Sequence, residues 1–459
     1  MFRIILYSTI LSLSIFSKSY LKLFTNGKTY EPRWKSLNSR SIPQWYDNAK
    51  VGIFLHWGVY SVPSIQDEWF WFNWKTGKEP SVSLMKLNYP RRFTYQAFAK
   101  YFTAEFFNPD EWADLFKKSG AEYVVLTTKH HDGYTLWPST YSFSWNSQDI
   151  GPKKDIVGTL AEAVRRKELR FGTYYSLFEW YNRLYLTDVI FHYTTNKYVT
   201  SRMIPEMVEL VQKYKPDIFW TDGEWETTDI YWNSTHFLTW LYNESPVKDT
   251  VVVTDRWGRN IRCSHGGVIT CYDRYNPKIR DKRKFENAMT LDKYSWGYRR
   301  NTFIAEILTI NKLIQEMVEA VSCGGNILIN VGPTHDGRID LIFQERLLDL
   351  GKWLEINHEA IKYTKPWKYQ NDSTTGTVWY TKNEKVVYAI ALHWPKNNVL
   401  TLGSANTLFE TSAIVTLLGY PKQLSWKESN REVNIEFPDK ATVKTDWAWA
   451  LKIEPTNIK

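Results

Sequence analysis

The sequence predicts an α/β protein in two parts, a parallel (β/α) barrel followed by a smaller C-terminal β-sandwich. Three observations carry this reading. Short apolar runs alternate with amphipathic helices from residue 51 to about 361. Several of those runs end in His, Tyr, Asp or Arg, as strands at the polar mouth of a barrel do. Helical periodicity then largely stops near Trp367, and short strands between Asn, Gly and Pro turns take over. A chain of 459 residues is long enough for one large domain and one small one. A doubly wound sheet is the alternative, but it usually carries a Gly-rich phosphate loop after an early strand, and none is seen.

Taken in order, Met1-Phe2-Arg3 gives a positive start, Ile4–Phe16 is mostly apolar, and Ser17-Lys18-Ser19 offers small residues for cleavage after Ser19. Residues 1–19 therefore read as a secretory signal peptide, too short and polar to span a bilayer. The barrel is assigned to residues 20–365. Tyr30–Lys50 is polar and wraps it. Val51–Gly58 predicts a strand on which Phe54 and His56 share a face, and the Trp-rich loop Asp67–Trp74 follows. Helix Phe107–Ser119 leads to strand Glu122–Thr128 and then Lys129-His130-His131-Asp132-Gly133. Helix Lys154–Lys167 leads to strand Leu169–Ser176, and helix Met203–Tyr214 to strand Ile218–Asp222. Helix Thr235–Tyr242 leads to Thr250–Trp257, and helix Leu308–Val321 to strand Asn326–Gly332 and helix Ile342–Ile361. Residues 366–459 are assigned to the β-sandwich, with strands around Val378, Val386, Val399 and Ala413.

The strand Ile218–Asp222 organises the rest. Pro216 ends the preceding helix, and Gly223 lets the chain turn just past the strand. Side chains alternate, so Trp220 and Asp222 face one way and Thr221 the other. In a barrel Asp222 would sit at the C-terminal mouth, where catalytic groups sit; the plainer reading of Asp-Gly after a strand is a turn or helix cap. The ends of the other strands would bring Phe54, His56, His130, His131, Tyr175, Trp220 and Arg256 to the same mouth. Adjacent histidines on an extended strand point apart, and no metal-ligand spacing appears, so no metal or other cofactor is expected.

Composition narrows the class. Hydrophobic residues make up 43% and aromatic residues 16%, with 23 Trp and 29 Tyr, enough for a full core and for flat faces against sugar rings. The formal net charge is +9, but the basic residues are scattered, which argues against a nucleic-acid partner. No later run is long enough for stable membrane insertion. Asn233, Asn243 and Asn371 open glycosylation sequons. Cys263 and Cys271 lie close enough to pair in an oxidising compartment, leaving Cys323 buried and unpaired.

The ordered set Phe54-Leu-His-Trp-Gly, Glu68-Trp69, Lys129-His-His-Asp-Gly, Tyr174-Tyr-Ser, Trp220-Thr-Asp-Gly, Asp255-Arg-Trp-Gly and Ser295-Trp-Gly-Tyr-Arg-Arg resembles the α-L-fucosidases of glycoside hydrolase family 29, most of all the animal tissue and plasma enzymes. The resemblance covers nearly the whole mature chain. It implies a retaining exo-glycosidase on an irregular (β/α)8-type barrel followed by an antiparallel β-sandwich, acting on fucosylated glycans. It implies Asp222 as nucleophile and Glu286 as general acid/base; Phe285 precedes Glu286 where the family often has Trp. His56, Glu68, His130, His131, Tyr175, Trp220 and Arg256 match positions that hold the sugar ring and hydroxyls, and Phe54 part of the patch for the C6 methyl. Without the resemblance, Glu286 reads as a solvated residue at the end of a charged stretch. A catalytically silent fucose-binding protein, or a glycosidase for a related sugar such as L-galactose, are the competing readings. The route is secretory, ending outside the cell or in the lysosome, and self-association into a homo-oligomer is compatible with it.

Overall fold

The computed structural model describes residues 28–409 and 412–456. The expected leader lies outside them. Seven parallel strands form the first sheet: β1 (Val51–Leu55), β2 (Tyr123–Lys129), β3 (Arg170–Ser176), β4 (Ile218–Asp222), β5 (Val252–Val253), β6 (Glu286–Thr290) and β7 (Asn326–Val331), in the order β5-β4-β3-β2-β1-β7-β6. The eighth stave is irregular. Val268 bridges Thr254 beyond β5, and Ile269 bridges Phe285 before β6, so the 268–269 segment spans the gap between the edge strands. This is the expected (β/α) barrel in irregular form.

Helices 109–118, 156–166, 204–214, 234–243, 310–322 and 341–357 pack outside the sheet. Their ends follow capping chemistry: Asn108 accepts from the amides of Asp110 and Glu111, and Asp155 from that of Gly158. The Trp-rich stretch after Glu68, read as a loop, contains a short helix, Phe70–Lys75. The strand expected over Thr250–Trp257 is reduced to Val252–Val253, because Asp255 turns out of the ladder to accept the amides of Cys263, Thr270 and Cys271.

The barrel interior holds its own aromatic cluster, including Tyr46, Phe54, Tyr123, Tyr174 and Trp220. Alternation is preserved: Tyr174 and Trp220 are register partners facing in, while Phe171 and Phe219 belong to the layer beneath the helices. Strand β6 was not legible in the sequence. It follows a run of Lys and Arg, and its five residues are too few to show a period.

Beyond the barrel, β8 (Lys365–Asn371), β9 (Val378–Asn383), β10 (Val386–Ala391), β12 (Ala413–Leu417) and β15 (Trp449–Pro455) form one antiparallel sheet. β11 (Val399–Leu402), β13 (Trp426–Ser429) and β14 (Glu432–Glu436) form a second. A separate core containing Trp367, Tyr380, Leu400, Val415, Ile435 and Leu451 fills this region. It docks on the barrel through the Trp353 indole, which donates to the Ala448 carbonyl, and the Thr381 hydroxyl, which donates to that of Ala360.

Candidate active site

A cavity of about 430 Å³ opens at the C-terminal mouth of the barrel. It is lined by Phe54, His56, Glu68, His130, His131, Trp220, Asp222 and Arg256, all expected from the sequence. Tyr174, Trp69, Trp225, Arg262, Tyr272, Asp273 and Trp296 complete it.

Asp222 is the last residue of β4. Gly223 follows with φ +78°, and a Cβ there would meet Phe178 at 2.7 Å, so the turn that frees Asp222 from the sheet requires glycine. One carboxylate oxygen of Asp222 accepts from the Tyr174 hydroxyl at 2.8 Å, the other from Arg256 Nη1 at 2.8 Å. His131 Nε2 lies 3.7 Å away and Arg262 Nη2 3.9 Å. Burial alone would raise this carboxyl, but Arg256, Arg262 and the donated hydrogen bonds hold it below the usual range. It is an ionised carboxylate aimed into the cavity.

Arg256 lies just past β5 and stacks over the Trp220 indole at 4.6 Å. Its Nε donates to Thr270 Oγ1, which itself donates to Asp255. The Cys263–Cys271 disulfide closes the same loop, as the cysteine spacing suggested. The two terminal nitrogens of Arg256 divide between two acids, Nη1 to Asp222 and Nη2 to Asp273 at 2.6 Å. Asp273 is 49% exposed at its side chain and stands at the rim, whereas Asp222 is 13% exposed.

The three imidazoles are held neutral by burial. Burial pushes His56 down to about 4, and its Nδ1 contacts Asn330 Oδ1 at 2.7 Å. Burial also lowers His130 and His131. His131 Nδ1 contacts Ser176 Oγ at 2.6 Å, while His130 Nδ1 is buried without a partner. Both histidines reach the cavity because they lie past the end of β2, where strand alternation no longer separates them. Glu68 accepts the amides of Trp296 and Gly297 through one oxygen, and burial raises it to about 7.

Two expectations are corrected. Tyr175 faces away from the cavity: its hydroxyl donates to Glu206 at 2.8 Å and its ring lies 4.0 Å from Lys129 Nζ, in an ionic cluster beneath the helices. Tyr174 takes the inward place, since parity on β3 puts the even-numbered residue beside Trp220. Glu286 does not reach the mouth either. It is the first residue of β6, whereas Asp222 is the last of β4. Its carboxyl is enclosed by the Tyr46 hydroxyl at 2.5 Å, the Tyr123 hydroxyl at 2.7 Å and the Trp220 indole N–H at 3.1 Å, and it is absent from the cavity wall. Burial raises its pKa, against the three donated hydrogen bonds and the charge of Lys284, which lower it.

Of the sequon asparagines, Asn243 exchanges two hydrogen bonds with the backbone of Tyr30, and Asn371 Nδ2 donates to the Gly376 carbonyl at 2.5 Å. Asn233 is half-buried at a helix start. Among the described residues, the only cluster with metal-ligand types is Asp255 with Cys263 and Cys271, and both cysteines are joined in the disulfide.

Residues 20–359 match the family model described as alpha-L-fucosidase, and residues 370–454 that of the alpha-L-fucosidase C-terminal domain. The chain is 51% identical to an alpha-L-fucosidase of Branchiostoma floridae, over 93% of this chain and 96% of that one. It is 49% identical to the human tissue alpha-L-fucosidase, over 94% and 93%, and 50% identical to the human plasma alpha-L-fucosidase, again over 94% and 93%. Among solved structures, the alpha-fucosidase of Thermotoga maritima in complex with fucose superposes with a TM-score of 0.79 at 33% identity, covering 92% of this chain and 100% of the other.

Proposed function

The chain belongs to the α-L-fucosidase family of glycoside hydrolases, and from that premise we propose that it removes terminal α-L-fucose from glycans with Asp222 as nucleophile and Asp273 as general acid/base. The observation that carries the second assignment is the guanidinium of Arg256, which binds both carboxylates, Asp222 through Nη1 at 2.8 Å and Asp273 through Nη2 at 2.6 Å. Retaining glycosidases separate their two carboxyl groups by about 5–5.5 Å.

An exo-acting site must bury the sugar it releases and leave the glycosidic oxygen toward solvent. Asp222 lies deep and Asp273 at the rim, which suits attack on C1 from within and protonation of the leaving oxygen from outside. Glu68 is protonatable but lies deep, tied to two amides, and suits binding of a sugar hydroxyl instead. The Asp222 carboxylate bonds to C1 as the C1–O bond breaks, and Asp273 gives its proton to the departing oxygen. Asp273 then takes a proton from water, whose oxygen replaces Asp222 at C1, so the anomeric configuration is retained. Proton delivery requires the Asp273 carboxyl to turn from Arg256, and its exposed position leaves room for that movement.

His56, His130, His131 and Glu68 supply hydroxyl contacts, while Phe54, with Trp220 5.3 Å and Trp296 6.0 Å away, receives the C6 methyl. A single methyl discriminates by about 1–3 kcal/mol, so the polar contacts must do most of the selecting, against L-galactose as well. The ionised nucleophile and its rim partner favour a working enzyme over a silent binder. The three sequons and the leader-like start support passage through the secretory route to the cell exterior or the lysosome. Among the described residues no helix is long and apolar enough to cross a membrane. The test is hydrolysis of 4-nitrophenyl α-L-fucoside followed by proton NMR. Fucose should appear first as the α-anomer; first release of the β-anomer, or no release, would overturn the mechanism.

A further inference from the structure

A second cavity of about 420 Å³ is lined by Arg274 and by Thr290 at the end of β6, and no step of the reaction uses it. Its link to the catalytic cavity is Arg274, the residue after Asp273. The Arg274 guanidinium lies 5.8 Å from the ring of Trp296, which lines the catalytic cavity, and it also lines the second one.

The charges of this cavity do not cancel. Its wall carries Arg274, Lys278 and Lys293 against Glu316. Glu316 is taken by Lys312 at 3.0 Å and by the Asn276 amide at 2.9 Å, and Lys278 pairs with Glu319 at 3.3 Å. Glu306, in the neighbouring loop, is taken by Arg299. Arg274 and Lys293 are left: Arg274 donates to the Lys293 carbonyl and Lys293 to that of Ala305, and neither forms an ion pair among the described residues. Both are exposed. The cavity also holds a buried acceptor with no partner, Asn276 Oδ1, beside the apolar side chains of Met289 and Leu308. An orphan acceptor suits a sugar hydroxyl, an apolar wall suits a C–H face, and two cations outside any ion pair suit an anion.

We propose that this cavity is a subsite for the leaving glycan and takes a sugar bearing an anionic substituent, a sulfate ester or a carboxylate, held by Arg274 and Lys293. The proposal rests on the fucosidase reading above. Its test compares kcat/KM for a neutral fucosylated trisaccharide, its sulfate ester and its sialylated counterpart, with 4-nitrophenyl α-L-fucoside as a substrate that cannot reach the subsite. Wild-type protein is run beside Arg274→Gln, Lys293→Gln and the double variant. The wild type should prefer at least one anionic substrate by about three- to tenfold, an advantage that shrinks with added salt. The double variant should lose it while hydrolysing the nitrophenyl fucoside at the wild-type rate. Preference for the sulfate ester alone would assign that source, and preference for the sialylated glycan alone would assign the carboxylate. Equal rates on neutral and anionic substrates, or a preference that survives in the double variant, would overturn the subsite. Failure of the wild type to hydrolyse the nitrophenyl fucoside would overturn the fucosidase reading itself.

Discussion

The barrel carries a carboxyl group in each of two aromatic chambers, and the chambers treat them oppositely. At the mouth, Asp222 meets two guanidinium groups and a tyrosine hydroxyl, faces a cavity and stays ionised. In the interior, Glu286 meets two tyrosine hydroxyls and an indole, faces no cavity and has its pKa raised by burial. Trp220 belongs to both, since its ring stacks under Arg256 and its N–H binds Glu286. A raised pKa is often taken as the mark of a catalytic acid, yet burial produces the same shift at a structural site. Access to the reacting bond is what separates the two, and only the mouth has it.

The contrast can be broken by substitution. Asp222→Gly should lower turnover on the order of 10⁴-fold or more, with azide restoring part of it as fucosyl azide; near-normal rates would remove the nucleophile. Asp273→Asn should slow natural glycans on the order of 10²–10⁴-fold, and aryl fucosides with good leaving groups much less in the first step. An equal loss on both substrate kinds would deny it the proton transfer. Tyr174→Phe removes a hydrogen bond that favours the charged form of Asp222. It should cost about tenfold in kcat/KM and move the acid limb of the pH profile upward, because the nucleophile then protonates at higher pH.

Glu286→Gln should leave kcat/KM unchanged, against the large loss that an acid/base would show. Its signature is in stability. The folded-state pKa of Glu286 is raised above its ordinary 4.5, so between that value and the folded pKa the folded chain binds a proton the unfolded chain does not. Stability from this group is therefore complete below 4.5 and lost as pH rises through the folded value. Urea titrations across that window should show a shallower decline for Glu286→Gln than for the wild type; parallel curves would mean that Glu286 is not held protonated. Tyr175→Phe is the smallest change. It should cost about 1 kcal/mol of stability through the lost bond to Glu206 and leave the pH profile where it was.

Much of this site was legible in the residues themselves. Asp222, Trp220 and Gly223 announce a strand, its parity and its turn within six positions, and local sequence dictates all three because alternation and backbone freedom are local properties. The adjacent tyrosines of β3 carried the same information, although the choice between them depended on the register with β4. Asp273 gave no such signal. It lies in a loop with no period, and only the fold of the disulfide-closed stave brings it onto Arg256.

By itself, then, the sequence determined the barrel, the separate C-terminal strands, the family and the place of Asp222 at a strand end, since periodicity, turn residues and an ordered set of motifs are written along the chain. The tertiary structure decided which second carboxyl stands at the mouth beside Asp222. Glu286 and Asp273 are 13 positions apart on one connecting segment, and nothing in their flanking residues ranks them. Strand direction ranks them. A parallel strand that begins with Glu286 must bury it in the barrel interior, while the loop before that strand is free to carry Asp273 to the rim.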